Sequence, residues 1–319
     1  MSGVKRAGEA GRLRNQGEAI ADCRLTTQML TLDVIRAIVD NLSPDQSGRA
    51  PMSKNVSVDD VRKHEHEAWQ GAAPLYSDFI APFTAHSGQI DLHHEMSPIE
   101  KGQLVLDVGS GTGDVAIQLD RAGANVTGID FAAEMVEVAK QRHPHINFIE
   151  ADVESLPFEN DAFDRAIANY TAHHFADPES AFGEIRRVLK PGGKLTIIHP
   201  IQTEQPSWGA FAMSLAEAVP GDPPIGGPLL MEDDPASYVD FLSAAGFAEA
   251  NSEKRTKPIT MDTLEPIIRG GWAVGMMDKQ PQAIQDQVLA GIEERTRPFR
   301  LENGSYLFPD QVLIAHAIA

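Results

Sequence analysis

Cysteine is almost absent from this chain: Cys23 stands alone among 319 residues. One thiol excludes an internal disulfide and any zinc site built on cysteines. A reducing, cytoplasmic setting is the expectation that follows. Basic residues are also few. Lys and Arg total 27 against 46 Asp and Glu, a formal net charge of −19. Nucleic-acid binders gain affinity by neutralising phosphates, and a chain this acidic repels them, as it repels anionic membrane surfaces. No nucleic-acid or membrane partner is therefore expected. No apolar run approaches the ~18 residues of a membrane span. No secretory signal is expected either, because no apolar segment follows the scattered Lys5, Arg6, Arg12 and Arg14. Glu9, Glu18 and Asp22 interrupt the basic face a transit peptide needs.

What remains is ordinary globular material. Hydrophobic residues make up 42% and charged residues 23%, which suits a buried core and argues against wholesale disorder. Residues 1–24 are polar. Leu30, Val34, Ile35, Ile38, Val39 and Leu42 then recur at helical spacing up to Ser43-Pro44. A polar linker runs from Pro44 to Asn55 and contains Met52. We expect an accessory arm over 1–51 and the functional domain over 52–319. Ser57-Val58-Asp59-Asp60 reads as the N-cap of a helix carrying Val61, Ala68 and Trp69. A second apolar stretch holds Leu75, Phe79, Ile80 and Phe83.

From residue 104 short apolar runs alternate with helical patterns. Strands are expected at 104–108, 126–129, 146–149, 165–168 and 194–198, and helices at 114–122, 132–142 and 178–189. The last helix has Asp177 as N-cap and Pro178 in its first turn, and Lys190-Pro191-Gly192-Gly193 reads as its stop. Strands this uniformly apolar belong to a parallel sheet covered on both faces. After His199 the rhythm breaks. Residues 201–235 are rich in Pro and Gly, too long for a bare connection, and are expected to form a lid with a helix near 210–218. Helices near 235–245, 261–277 and 281–295 and strands near 248–257 and 311–317 complete the reading. With the lid, residues 261–300 are expected to shape an acceptor pocket, with Trp208, Phe211, Met213, Trp272 and Met276 as candidate linings.

The chemistry concentrates where strands end. Val105-Leu106-Asp107-Val108-Gly109-Ser110-Gly111-Thr112-Gly113 runs an apolar strand into a glycine turn and then a helix. Glycines let backbone approach a ligand where a Cβ clashes, and the amides of the following helix point at it. A dinucleotide fingerprint wants its third glycine where Asp114 stands, and a carboxylate there repels a pyrophosphate. Asp130 ends the second strand, 17 residues beyond Gly113, where a carboxylate accepts both ribose hydroxyls. Asp152-Val153 follows the third strand, a carboxylate for an adenine edge beside an apolar neighbour. Asn169 through Phe175 follow the fourth.

These segments carry a resemblance. VLDVGSGTG at 105–113, VTGIDFAAEM at 126–135, EADVESLPF at 150–158, FDRAIANYTAHHF at 163–175 and RRVLKPGGKL at 186–195 make the chain similar to class I S-adenosylmethionine-dependent methyltransferases, the broad type that includes the ubiquinone/menaquinone C-methyltransferases. The likeness covers 104–199. It implies an α/β, Rossmann-like seven-stranded sheet with helices on both faces, the last strand antiparallel, plus N-terminal helices and a lid. It implies S-adenosylmethionine as cofactor and a small-molecule acceptor, methylated on oxygen, nitrogen or carbon. Gly109, Gly111 and Thr112 in the loop ending at Gly113 are then expected to face the methionine part, with Asp107 orienting the loop. Asp130 is expected at the ribose, Phe131 and Met135 beside the adenine, Asp152 and Val153 at its edge, Asn169 near the methionine amino group, and Tyr76 above the cofactor, with Trp69 second. His173, His174 and His199 sit where a base acts, and histidine titrates near neutrality; each is also a plausible space-filler.

Blander readings stand beside several of these. His64-Glu65-His66-Glu67 and His93-His94-Glu95 look metal-like but lack the His-Glu-x-x-His spacing, so solvated helix faces are expected and no metal. A cofactor-binding partner subunit without turnover and a nicotinamide oxidoreductase are the rival classes. The intact glycine loop with Asp130 and Asp152 weighs against the first, and Asp114 with the missing glycine against the second.

Overall fold

The computed structural model describes residues 57–70, 72–81, 84, 98–201, 204–219, 229, 232–273, 276–278 and 280–319. The arm expected over 1–51, Phe83 and the His93-His94-Glu95 run lie outside the described residues. So do the side chain of Trp272 and most of 220–231.

Seven strands form one sheet in the order β3-β2-β1-β4-β5-β7-β6. The strands are β1 (Leu104–Val108), β2 (Asn125–Asp130), β3 (Asn147–Glu150), β4 (Phe163–Asn169), β5 (Leu189–Pro200), β6 (Glu249–Met261) and β7 (Tyr306–Ile318). The first five are parallel, and β7 runs antiparallel to both β5 and β6. That is the architecture expected, including the reversed final strand. Val105, Leu106, Asp107 and Val108 are all buried, as a central parallel strand with both faces covered requires.

Eight of the helices matter here. They are α1 (Val58–Trp69), α2 (Ala116–Arg121), α3 (Ala133–Arg142), α4 (Pro178–Val188), α5 (Pro206–Ala218), α6 (Pro235–Ala244) and α7 (Glu265–Ala273), followed by α8 (Gln282–Thr296) as packing partner of α5. Local chemistry sets their starts. The Ser57 hydroxyl accepts from the Asp60 amide at 3.2 Å while Asp60 accepts from the Ser57 amide at 3.0 Å, a reciprocal cap for α1. Asp177 caps α4 by accepting from Ser180 at 3.2 Å. Phe182, Ile185 and Val188 of α4 then bury one stripe against the sheet.

Three apolar clusters hold the layers together. One lies under α4 and α6, with Phe182, Tyr238 and Leu242 against Leu106, Leu195 and Leu313. A second, on the opposite face, joins Val105 and Ile167 to Leu119 and Val136 of α2 and α3. A third joins Phe211, Ile267, Val288, Ile292 and Phe308, so α5, α7 and α8 pack together against the long antiparallel β6–β7 pair. The helix expected near 210–218 in the lid segment is thus the 13-residue α5, which starts earlier and whose packing partners lie far along the chain.

One boundary differs from the sequence reading. Lys190-Pro191-Gly192-Gly193 is inside β5, not a loop before it. Leu189 pairs with Phe163, the register then shifts, and Lys194 pairs with Arg165. A bulge absorbs the residues that read as a stop signal.

The order of strands decides where ligands bind. The chain moves outward from β1 to β3, then returns to place β4 on the other side of β1. Loops after β1 and β4 therefore leave in opposite directions, and the crevice between them opens at the carboxyl ends of the strands.

Candidate functional site

β1 delivers Asp107 to the floor of that crevice and hands the chain to the glycine loop. Gly109 and Gly111 have φ of +65° and +53°, a region L side chains avoid. Space makes the same demand. A Cβ on Gly109 would lie 2.1 Å from the Thr171 hydroxyl, and one on Gly111 would lie 3.3 Å from the Tyr76 ring. The loop after β4 and the N-terminal segment are thus pressed onto the glycine loop from two sides.

A small cleft, partly open to solvent, remains between them; Tyr76, Asp107, Gly109, Ser110, Asp114 and Asn169 are among its walls. Three polar atoms there lack a partner although buried: Asp107 Oδ2, Ser110 Oγ and Asn169 Oδ1. Buried polar atoms without partners are rare enough to need an explanation. Burial, with Asp130 nearby, pushes the Asp107 carboxyl up to about 8, against the pull of the Ala116 amide. Two acceptors of this kind beside a hydroxyl suit a ligand bearing an amino group.

Asp130 closes β2 and is only 9% exposed. Its Oδ2 accepts from the Gly111 amide and its Oδ1 from the Ala132 amide, each at 2.9 Å. Burial raises its pKa, and those two amides oppose the rise. A carboxylate has about four lone-pair sites, so two stay open for ribose hydroxyls. Beyond it, Phe131 faces the His66 ring at 5.9 Å and Met135 packs with Ala132 under Trp69 and Tyr76. Asp152 accepts from the Glu154 amide at 2.9 Å, stands 3.8 Å from Arg62 and is 45% exposed, and Val153 packs against the main core.

Thr112 and Asp114 are more engaged than their sequence suggests. Thr112 donates to Asp114 at 2.6 Å, and Asp114 takes both arms of Arg142 at 2.7 and 2.8 Å. The carboxylate is thereby neutralised, so its charge does not by itself repel a phosphate; the missing glycine carries that point alone.

The roof is the N-terminal segment. A helical turn at Ala73–Leu75 runs into a π-helical turn at Tyr76–Ile80. Tyr76 lies over Gly111, and Trp69 meets Tyr76 and His174 edge-on at 5.6 and 5.1 Å. Burial pushes the Tyr76 phenol up to about 12.

The three histidines come together in space. The rings of His173 and His174 are 4.0 Å apart, and His199 is 5.3 Å from His173 and 5.2 Å from Tyr238. They are not equivalent. His199 is wholly buried and neither of its nitrogens has a partner; burial pulls it down to about 3. His173 is buried too and lowered for the same reason. His174 alone keeps an exposed edge, and its Nδ1 lies 2.9 Å from Glu65.

Glu65 is what the sequence reading missed. Its run was read as a solvated face, yet Glu65 is buried and also accepts from the Trp69 indole at 3.3 Å. The signal was available: Arg62, Glu65, His66 and Trp69 fall at i, i+3, i+4 and i+7, one face of α1. Arg62 completes that face by holding Glu154 at 2.5 Å.

Among the candidate acceptor linings, Trp208 joins Phe79, Ile80, Pro266 and Ile267 around a smaller apolar pocket. The π-helical turn divides it from the cofactor cavity. Phe211 is core, Met213 is half-buried and Met276 is exposed. The α5 start is held by a buried Asp310, which accepts from the Ser207 amide at 3.1 Å and from its hydroxyl.

Asp310 gives a pH prediction. Burial lifts it to about 7, and Asp107 to about 8, while both ionise near 3.8 when unfolded. The folded state therefore keeps protons that the unfolded chain has released, and stability falls as pH rises. Below about pH 6.5 the buried His173 and His199 oppose this, since the unfolded chain protonates them. Above it the carboxylates act alone. Melting temperature is expected to fall between pH 6.5 and 8, with a slope of up to ~1.4 kcal/mol per pH unit per group. Calorimetry on Asp310→Asn should show a shallower fall, and an unchanged slope overturns the assignment.

Comparison with known proteins decides what the crevice is for. A family profile described as "Methyltransferase domain" matches residues 106–197. The demethylmenaquinone methyltransferase of Thermus thermophilus is 40% identical over 130 residues, 39% of this chain and 56% of that protein. The demethylmenaquinone methyltransferase of Chlamydia pneumoniae is 34% identical over 173 residues, 48% of this chain and 74% of that protein. The chain belongs to the class I S-adenosylmethionine-dependent methyltransferases. That is an enzyme family, and its methyl donor and cofactor is S-adenosylmethionine. Among solved structures, the YcgJ protein of Bacillus subtilis shares the fold, with a TM-score of 0.51 and 24% identity over 73% of this chain and 97% of that one. The chain spans about half the length of the first curated relatives it matches. The matched stretch holds the glycine loop, Asp130, Asp152, His173 and His174, while His199 lies just beyond it. α1, α5, α7 and α8 lie outside the matched profile. Among the described residues no helix is long and apolar enough to cross a membrane.

The cavity fits the family's cofactor. Asp107 and Asn169 would offer acceptors to the methionine amino group, Asp130 would offer its free lone pairs to the ribose, and Asp152 with Phe131 and Met135 would flank the adenine. The sulfonium methyl carries its own activation, so the protein's part is to bind, orient and exclude water.

Proposed function

We propose that this chain transfers a methyl group from S-adenosylmethionine to a small, apolar, quinol-type aromatic acceptor. The observation that carries the cofactor half is the set of unpartnered atoms on Asp107, Ser110 and Asn169 beside Asp130. Support for the acceptor class is the relatives' names, demethylmenaquinone methyltransferase and 2-phytyl-1,4-naphtoquinone methyltransferase. The apolar pocket of Phe79, Ile80 and Trp208 agrees with it. Residues 52–319 act as one methyltransferase domain in a cytoplasmic protein, with 201–235 and 261–300 shaping the acceptor side. The methylated atom is a ring carbon or oxygen, and the acceptor belongs to quinone or specialised metabolism.

The test is methyl transfer from labelled S-adenosylmethionine in the presence of a reduced, short-tailed demethylnaphthoquinone. One S-adenosylhomocysteine is expected per methylated quinol. Label found only in protein or RNA overturns the acceptor class. Cofactor binding without any turnover points instead to a partner subunit.

A further inference from the structure

We propose that Glu65 positions His174 as the general base for the acceptor, so that the base is complete only when α1 lies across the site. This rests on the methyl-transfer reading above and deepens it. The carboxylate accepts from His174 Nδ1 at 2.9 Å and is itself buried. An ionised carboxylate can only accept, so Nδ1 carries the hydrogen and Nε2 keeps the lone pair. That is the arrangement in which a third group orients a catalytic base. The His174 side chain is 21% exposed, so a substrate can reach it. His173 and His199 are buried beside it and less open to an acceptor.

The groups facing His174 are few. Glu65 and Trp69 come from α1, His173 from its own turn, and Asp130 from the end of β2; His199 stands behind His173 on β5. Both carboxylates thus face the ring on which a positive charge appears during transfer. The acceptor's hydroxyl proton passes to Nε2 of His174. The electron pair it releases into the ring forms the new bond from a ring carbon to the methyl carbon, the sulfur–carbon bond breaks with its pair left on sulfur, and the resulting ketone returns to the quinol as that ring carbon loses its proton to water and the oxygen regains one. His174 then loses the proton to water at its exposed edge. Because Glu65 sits on α1 while His174 follows β4, the base is assembled across two elements 109 residues apart.

Glu65→Gln in the full chain is the test. The glutamine carbonyl still accepts from Nδ1, so the contact with α1 survives while the charge is lost. Imidazole NMR of the ligand-free protein, with His174→Gln to assign the signal, should show the His174 midpoint dropping by about one pH unit. With the reduced naphthoquinol as acceptor, kcat should fall roughly 10- to 100-fold. The acid limb of its pH profile should move with the NMR midpoint, the KM for S-adenosylmethionine should stay within about twofold, and Glu65→Asp should recover part of the rate. An unmoved His174 midpoint, or a rate loss with an unmoved pH profile, overturns the proposal. If the unaltered protein binds S-adenosylhomocysteine but methylates no quinol, the acceptor reading fails, while the NMR titration still judges the Glu65–His174 pair.

Discussion

Asp130→Ala is expected to lower affinity for S-adenosylhomocysteine by at least ~100-fold, from the loss of charge-assisted bonds worth roughly 1.5–3 kcal/mol each. Two effects add. On the proposed reading, the carboxylate's remaining lone pairs accept the ribose hydroxyls. The same carboxylate also organises the loop, because Gly111 and Ala132 both donate to it at 2.9 Å. Without it two buried amides lose their partner, at about 1–3 kcal/mol apiece. Loss of a buried, partly desolvated charge offsets some of this, so the fold should survive with a modest fall in melting temperature. Asp130→Asn keeps one acceptor and should lie between the two. Calorimetric titration with S-adenosylhomocysteine checks the order. Binding by Asp130→Ala within about threefold of the unaltered protein means the ribose lies elsewhere.

The half of the molecule legible beforehand is the half whose residues face one another locally. β1 to β4 read as apolar runs because a parallel strand covered on both faces has no polar side to confuse the pattern. The glycine loop and Asp130 read because their spacing is short and their chemistry narrow. Long-range pairing is what the chain order hides. Asp114 looked like a carboxylate facing the ligand because Arg142, 28 residues on, shares no local pattern with it. Asp310 caps α5 from 103 residues away, so nothing near residue 206 announces the cap. Glu65 looked solvated for the same reason. A polar stripe on a helix is ordinarily a wet face, and only the tertiary position of His174 turns it into a contact. The bulge in β5 misled in the other direction, since Pro-Gly-Gly is a turn signal that a sheet can also absorb.

Gly109→Ala should be the more damaging substitution for the fold itself, and its rescue is specific. The added methyl would stand 2.1 Å from the Thr171 hydroxyl and 2.6 Å from its Cβ, distances no real packing tolerates. The φ of +65° adds its own cost for any residue with a Cβ. Overpacking of this kind costs about 1–3 kcal/mol, and the backbone strain adds roughly another 1–2 kcal/mol. Both strands that frame the crevice feel it, because Thr171 belongs to the loop leaving β4 and Gly109 to the loop leaving β1. Cofactor binding should disappear together with several degrees of melting temperature. Thr171→Gly removes the atoms in the way and leaves the strain, so the double variant should regain the overpacking share and no more. Thermal melts of the two single variants and the double one close the cycle. If the two substitutions are simply additive, the two loops are not in contact here, and the crevice is not held shut by this approach of Thr171 to Gly109.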